Sequence, residues 1–382
     1  MKNKLLSVII ALISSVSLAL ASENGRKGVS FAYDVNFEMH FDNREFDKNN
    51  FSNSSTLFGA RLTPSIGFDV KQKGGMHHRV MMGVDVMKEF GAGSDYKVLG
   101  DVSLWYRMQK KLGKTEVLLT AGVFPRRFSN SDWPLSFFSD SLKFYDNNLE
   151  GLLLQVHRPN ARFEVGCDWL GMYGSDSRER FMLFSSGHGN LGQLFSIGYY
   201  AYLYHFACSW QASGVVDNIL ANPYVRFNLG PILPLDNLSI TLNWLQSAQN
   251  DRKFVGKYTF PCGFQIDTDI RKWGAGIRNL FFYGSDMMPY YNSMDESSAK
   301  YSNSLYMGDP FYRIHDDGTS SGWGPYDRLE AYWEPQIGPY LQIRITAAFH
   351  FNKKYSGCQQ MVSLKFNLEE LLKRPSRKSS VK

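Results

Sequence analysis

Val29-Ser30-Phe31-Ala32-Tyr33-Asp34-Val35-Asn36-Phe37-Glu38-Met39-His40-Phe41 places a large apolar side chain at every odd position and a small or polar one at every even position. Successive side chains on a strand point to opposite faces, so one face of this segment is greasy and the other wet. Strands in soluble sheets usually run about five or six residues. A tilted strand crossing a bilayer needs about 9–11. This stretch is long enough to cross.

Upstream stand Met1-Lys2-Asn3-Lys4, an apolar run from Leu5 to Leu20, and Ala19-Leu20-Ala21. A basic start, a short apolar core and small residues at the cut read as a secretory signal peptide over 1–21. The run contains Ser14, Ser15 and Ser17 and falls short of the roughly 20 residues of a membrane helix. The formal net charge is +6, and loss of Lys2 and Lys4 leaves +4. That is too modest to argue for a nucleic-acid partner. No other segment reads as a membrane helix. Only helices and closed barrels satisfy their backbone hydrogen bonds in lipid. An exported chain of alternating strands therefore points to the outer membrane of a Gram-negative bacterium.

The same rhythm recurs. Phe58, Ala60, Leu62, Pro64, Ile66, Phe68 and Val70 form one apolar row, with Arg61, Thr63, Ser65 and Asp69 between them; Leu341, Ile343, Ile345, Ala347, Phe349 and Phe351 form another. The segments near 180–186, 193–204 and 273–284 are apolar on both faces in places, where periodicity alone cannot place them. The strands fall near 28–42, 56–71, 78–90, 96–109, 115–125, 149–157, 161–173, 180–187, 193–205, 219–229, 237–248, 258–268, 272–283, 326–334, 339–352 and 358–368. Sixteen is an even number, as a bacterial single-chain barrel requires. Connections after even strands are short turns, such as Gln72-Lys73-Gly74-Gly75 and Arg158-Pro159-Asn160. Several after odd strands are long: Asn43 to Ser55, Arg126 to Asn148, Phe206 to Asn218 and Ser285 to Pro325. Short periplasmic turns with longer external loops mark an outer-membrane barrel.

On this pattern the chain resembles the porin-type outer-membrane β-barrel proteins. The expected fold is a closed antiparallel transmembrane barrel of about 16 strands over 22–368, followed by a polar tail over 369–382. One departure is the end of the last strand, where Phe366 is followed by Asn367, Leu368 and that tail. The resemblance implies passive diffusion of small solutes or ions, with a third external loop that folds into the lumen. It implies outer-membrane lipids and the barrel-assembly machinery as partners, and it leaves self-association open.

The alternation turns charges of both signs inward, among them Glu38, Arg61, Arg79, Asp85, Asp101, Arg107 and Arg344. In a water-filled lumen such rings set ion preference. For any one of them, cross-strand pairing is the plainer reading. As a set they predict a polar interior. The third external loop adds Arg126, Arg127, Asp132 and Asp140, together with Phe128, Trp133, Phe137, Phe138, Phe144 and Tyr145. So many aromatics must pack on something. Arg126 and Arg127 favour anions, and Asp132 and Asp140 oppose them. A barrel closed by its own loops, acting as a binding or structural surface protein, is the alternative.

An outer-membrane barrel enzyme, protease or lipase, is the weaker alternative, and no catalytic residue, cofactor or metal site is assigned. Gly187-His188-Gly189-Asn190-Leu191-Gly192 matches G-x-G-x-x-G but lies in an expected hairpin turn with no helix after it. His315-Asp316-Asp317 precedes Gly318 and reads as a turn. Ser196 and His205 lie in a tyrosine-rich strand expected to supply an interfacial aromatic belt. His77-His78 fall at a periplasmic turn. Cys167, Cys208, Cys262 and Cys358 match no metal spacing.

Overall fold

The computed structural model describes residues 28–46, 54–93, 99–129, 132–175, 177–314 and 322–372. The expected signal peptide, His315-Asp316-Asp317 and the end of the tail lie outside the described residues. The strands are β1 (Val29–Glu45), β2 (Ser55–Lys71), β3 (Met76–Glu89), β4 (Leu99–Leu112), β5 (Thr115–Pro125), β6 (Asn148–Arg158), β7 (Ala161–Gly171), β8 (Arg180–Leu191), β9 (Phe195–Phe206), β10 (Val216–Asn228), β11 (Asn237–Asp251), β12 (Cys262–Lys272), β13 (Ala275–Gly284), β14 (Gly324–Trp333), β15 (Gln336–Gly338), β16 (Leu341–Asn352) and β17 (Ser356–Asn367).

Every pairing is antiparallel between chain neighbours, and β1 closes the sheet by pairing with both β2 and β17. Glu38 sits opposite Arg61 on one side and Lys365 on the other. β15 continues β14, because Trp333 faces Ile345 and Gln336 faces Gln342 in one register across Glu334-Pro335, and the register shifts only after Gln336. Proline has no N–H to give the ladder. The wall therefore has sixteen strands, as the sequence pattern predicts. Closure leaves no open edge, which a sheet in lipid requires.

The outward row is apolar. Phe68, Met82, Leu104, Leu152, Leu183, Ile277 and Ile345 are exposed, and Cys167 shares the outward row with Val165 and Trp169. Exposed aromatics gather at both ends of the strands. Phe58, Phe90, Trp169, Phe264, Tyr283 and Trp323 lie toward the long loops; Phe163, Phe195, Trp273 and Trp333 lie toward the short turns. These are the two interfacial girdles of an outer-membrane barrel. The four described cysteines are unpaired.

The inward row departs from the expected all-polar lumen. Leu149, Leu153, Met182, Phe184, Leu220, Leu245, Phe282 and Tyr326 are buried inside. Tyr200, Tyr202 and Tyr204 of β9 also point inward and are buried, so they form no interfacial belt. The reason is that two long loops fold into the barrel and need an apolar wall to rest on. The G-x-G-x-x-G segment is strand through Leu191, and only Gly192, with φ of 80°, makes the turn. At Gly198 a Cβ would lie 2.4 Å from the Tyr224 hydroxyl, so only glycine lets that ring lie across the neighbouring strand.

Candidate functional site

The third external loop enters the lumen with a 3-10 turn (Arg126–Phe128), a turn at Leu135–Phe137 and a short helix (Asp140–Tyr145). Ser139 caps that helix by accepting a hydrogen bond from Leu142 N at 3.2 Å. Trp133 and Phe137 anchor the loop to the wall. The Trp133 ring centroid lies 5.2 Å from Tyr200 and 5.8 Å from Phe184, and Phe137 lies 5.2 Å from Tyr202. The indole N–H of Trp133 donates to Ser129 Oγ at 3.1 Å and Glu164 Oε1 at 3.2 Å. Burying each such ring stabilises the docked loop by about 1.5–3 kcal/mol.

The seventh loop, between β13 and β14, fills the outer part of the same side. Tyr306 donates to Gln249 Oε1 at 2.6 Å, and Tyr204 donates to Ser304 O at 2.7 Å. Phe311 stacks on Tyr326 and His350, at 5.3 and 4.5 Å between centroids. The two loops are also joined backbone to backbone. Ser139 N donates to Met307 O, and Asp309 N to Leu135 O, both at 2.8 Å.

What the loops leave open lies against β1–β4, β6–β8 and β16–β17. An outer cavity of about 540 Å³ lies between Asp85, Asp101, Asp146, Glu150 and Asp168, with Arg61 and Arg180 as its cations. An inner cavity of about 530 Å³ opens toward Tyr340, Phe366 and Asn367 at the periplasmic mouth. Its charged lining is Arg61, Arg126, Arg127, Lys143 and Lys365 against Glu38 and Glu370. Arg61 and Asn147 line both cavities. They stand where the two meet, beside the loop helix.

Arg61 is 5 % exposed and is held by four partners, one of them Met87 Sδ at 3.2 Å. Its guanidinium pairs with Asp85, donates to Phe144 O, and donates to Tyr145 O at 3.2 Å. Asn147 Nδ2 donates to the same Asp85 carboxylate at 3.0 Å. β2 and β3 bring Arg61 and Asp85 to this level, and the end of the loop helix supplies the carbonyls. The carboxylate and two carbonyls meet the terminal nitrogens of this buried arginine, while its Nε and Asp85 Oδ1 have no partner among the described residues. Removing either charged partner would strand the other. The arrangement stands between the two cavities.

The other residues singled out in the sequence divide clearly. Arg126 pairs with Asp146 and with Asp168 at 3.0 Å, and Arg127 pairs with Asp34 at 3.1 Å; both cations line the inner cavity. Glu38 lines it with its partner Lys365, at 3.0 Å. Asp101 lines the outer cavity. Asp140 and Arg344 line a third cavity of about 240 Å³, where Asp140 meets Arg328 at 2.9 Å and Arg344 meets Glu330 and Glu334. Burial opposes ionisation of Asp140, but the Arg328 guanidinium overrides it and holds the carboxyl well below the usual range.

Arg79, Arg107 and Asp132 line neither large cavity. Arg79 sits at the periplasmic mouth between Asp69 and Glu369, the latter on a short helix, Leu368–Leu372, that begins the polar tail. Arg107 lies 3.7 Å over the Phe128 ring and donates to Thr120. Asp132 pairs with Arg162 at 2.6 Å. Asn147, Lys143 and Asp168 are among the lining residues that are not pore candidates in the sequence. Lys143 and Asp168 had the signal of charge on an inward or loop position, and Asn147 had none.

Ser196 and His205 do not meet. Ser196 bonds Asn190 and Asn228, while His205 lies nine residues along β9 on the outward row. Other described imidazoles bond tyrosine hydroxyls, carboxylates or amides: His78 to Tyr106, His188 to Tyr224 and Asn190, His77 to Asp69, His350 to Tyr326 and Gln359. No described group of three or more His, Cys, Asp or Glu is placed to hold a metal ion.

Among solved structures, the chain is similar to a loop-deleted form of OmpT, an outer membrane protein of Vibrio cholerae. The TM-score is 0.51 at 7% identity, covering 89% of this chain and 100% of that one. It is similar to OccK3 of Pseudomonas aeruginosa at a TM-score of 0.49 and 11% identity, with 88% and 95% covered. It is similar to OprD of Pseudomonas aeruginosa at 0.43 and 12%, with 88% and 93% covered. At such identities the Vibrio barrel speaks for the fold alone, and the lower-scoring pair adds nothing to it. Closed wall, lipid-facing row and girdles make this an outer-membrane β-barrel of porin type. No curated protein sequence matches the chain. The family model described as "Lipid A 3'-O-deacylase-type" matches residues 26–217, just over half of the 382 residues, and the chain belongs to that family.

Proposed function

We propose that the barrel is a passive channel for small solutes or ions. The path runs through the outer cavity, past Arg61, Asp85 and Asn147, and out through the inner cavity. One observation carries this reading: the two cavities share Arg61 and Asn147 as walls. The inner half carries five cations against two carboxylates and the outer half five carboxylates against two cations, so the two halves oppose each other in ion preference. No covalent step and no cofactor enter the mechanism. The side chains between the cavities admit and orient the solute, and its concentration gradient drives it.

The family description favours a second reading, release of an acyl chain from lipid A. Ester hydrolysis needs an activated nucleophile, and no imidazole in the described residues hydrogen-bonds a serine or threonine hydroxyl. Incubation with lipid A and mass spectrometry separates the two readings. An unchanged lipid is expected, and loss of an acyl chain would install the hydrolase. For the channel, the test is single-channel recording in a planar bilayer under a salt gradient. Stepwise openings are expected. A silent bilayer would overturn the reading.

A further inference from the structure

The charges between the two cavities are ordered by sign as well as paired. In Arg126–Asp146 and Arg126–Asp168 the cation lines the inner cavity and the carboxylates line the outer one. In Arg61–Asp85 the carboxylate again lines the outer cavity, while the guanidinium reaches both. Most charges away from these pairs follow the same order, against Arg180 in the outer cavity and Glu38 and Glu370 in the inner one. Asp101 and Glu150 belong to the outer cavity; Arg127, Lys143 and Lys365 belong to the inner one. Asp101 Oδ2 accepts from Asn148 at 3.2 Å and has no cation on it among the described residues.

We propose that this makes the septum electrically polarised, so that the channel passes more current when the external side is positive. The inference rests on the channel reading. Fixed carboxylates outside gather mobile cations, and fixed cations inside gather mobile anions. An external positive voltage drives both populations toward the septum and fills it with carriers. The opposite voltage draws both away and empties it. The mechanism needs a screening length comparable with the cavities. That length is about 10 Å at roughly 0.1 M salt and about 3 Å at roughly 1 M. The asymmetry therefore belongs to dilute salt. Asp101, Glu150 and the pair members are its specificity-determining residues.

The test uses the full chain in a planar bilayer. An antibody epitope in the turn Gln72–Gly75 marks the inner side of each inserted channel. At roughly 0.1 M salt the current with the external side positive is expected to exceed the reverse current about twofold, and the ratio is expected to approach one at roughly 1 M. The double variant Asp101→Asn with Glu150→Gln is expected to keep the openings and to lower the dilute-salt ratio. Equal currents in dilute salt, an asymmetry that survives strong salt, or an unchanged ratio in the variant would each overturn the inference. Absence of any current would instead overturn the channel reading.

Discussion

From β6 to β14 the inward row carries Leu149, Leu153, Phe184, Tyr200, Tyr202, Leu220, Leu245, Phe282 and Tyr326; from β1 to β3 and on β17 it carries Glu38, His40, Asp42, Arg61, Asp85, Ser363 and Lys365. Both arcs obey the same two-residue rhythm on the same closed wall. The first arc is covered by the third and seventh loops over most of its length. Its edge on β6–β8 borders the large cavities, with Glu150, Asp168 and Arg180 at the outer one and Leu149 and Phe184 at the inner one. The second arc keeps its ion pairs and borders the two large cavities. Burying apolar area is favourable wherever a loop can reach it, whereas burying a charge is favourable only with a partner in place. The loops therefore lean to one side, and water keeps the other.

The largest effect that would break this comparison is expected in the covered arc. Phe137→Ala removes a fully buried ring from between Trp133 and Tyr202. It should cost about 3–5 kcal/mol in urea unfolding and loosen the third loop. A loss within experimental error would mean that the loop is not anchored there. On the wet arc, Arg61→Ala strands the buried Asp85 carboxylate and should cost about 3–5 kcal/mol while raising conductance. The double variant with Asp85→Ala should recover part of that stability, and a double-mutant cycle reads the coupling directly. Additive losses would remove the pair from the account.

Smaller effects sharpen the boundary. Gly276→Ala places a Cβ 2.4 Å from the Tyr332 ring and 2.8 Å from Ile270 O, so overpacking of about 1–3 kcal/mol is expected in the same unfolding assay. Asp140 ties the third loop to Arg328, and its folded pKa is lowered. A lowered carboxyl contributes stability that is present above its unfolded pKa of about 3.9 and is lost as pH falls toward the folded value. The stability gap between the native chain and Asp140→Asn should thus stay flat from neutral pH to about pH 5 and close only below about pH 4. A gap that closes above that range would contradict the pairing. At the exposed rim, Glu296→Gln should leave the unfolding midpoint unchanged, because Glu296 and Lys253 are joined in solvent, where ion pairs are screened.

The wall was legible in the sequence because lipid enforces the alternation on its own face. Phe31, Phe68 and Leu104 have only one solvent to satisfy, and it is the same all round. The lumen has two kinds of surroundings, loop and water, and nothing in β9 alone says which one Tyr200 and Tyr202 meet. Their inward direction follows from the register, but their burial follows from a loop more than fifty residues away. The third loop's aromatics said only that it packs on something, inside the mouth or as a lid; its inward turn was implied by the resemblance to porins and not by its residues. The site was legible by residue type at Arg61, Asp85, Arg126 and Arg127, which the alternation or the loop put inside. Asn147 was not, because an asparagine at a loop end is ordinary turn chemistry. Arg79, Arg107 and Asp132 point inward or sit on the right loop, yet Glu369, Phe128 and Arg162 hold them away from the path.

The central claim is that solute passes along the charged arc and nowhere else. Single cysteines in a background lacking Cys167, Cys208, Cys262 and Cys358 test it by thiol labelling during current recording. Asn147→Cys should react with a bulky charged reagent and lose most of its current, while Tyr202→Cys should stay unreactive with its current intact. Current that survives labelling at Asn147, or that falls on labelling at Tyr202, would place the path on the wrong side of the barrel.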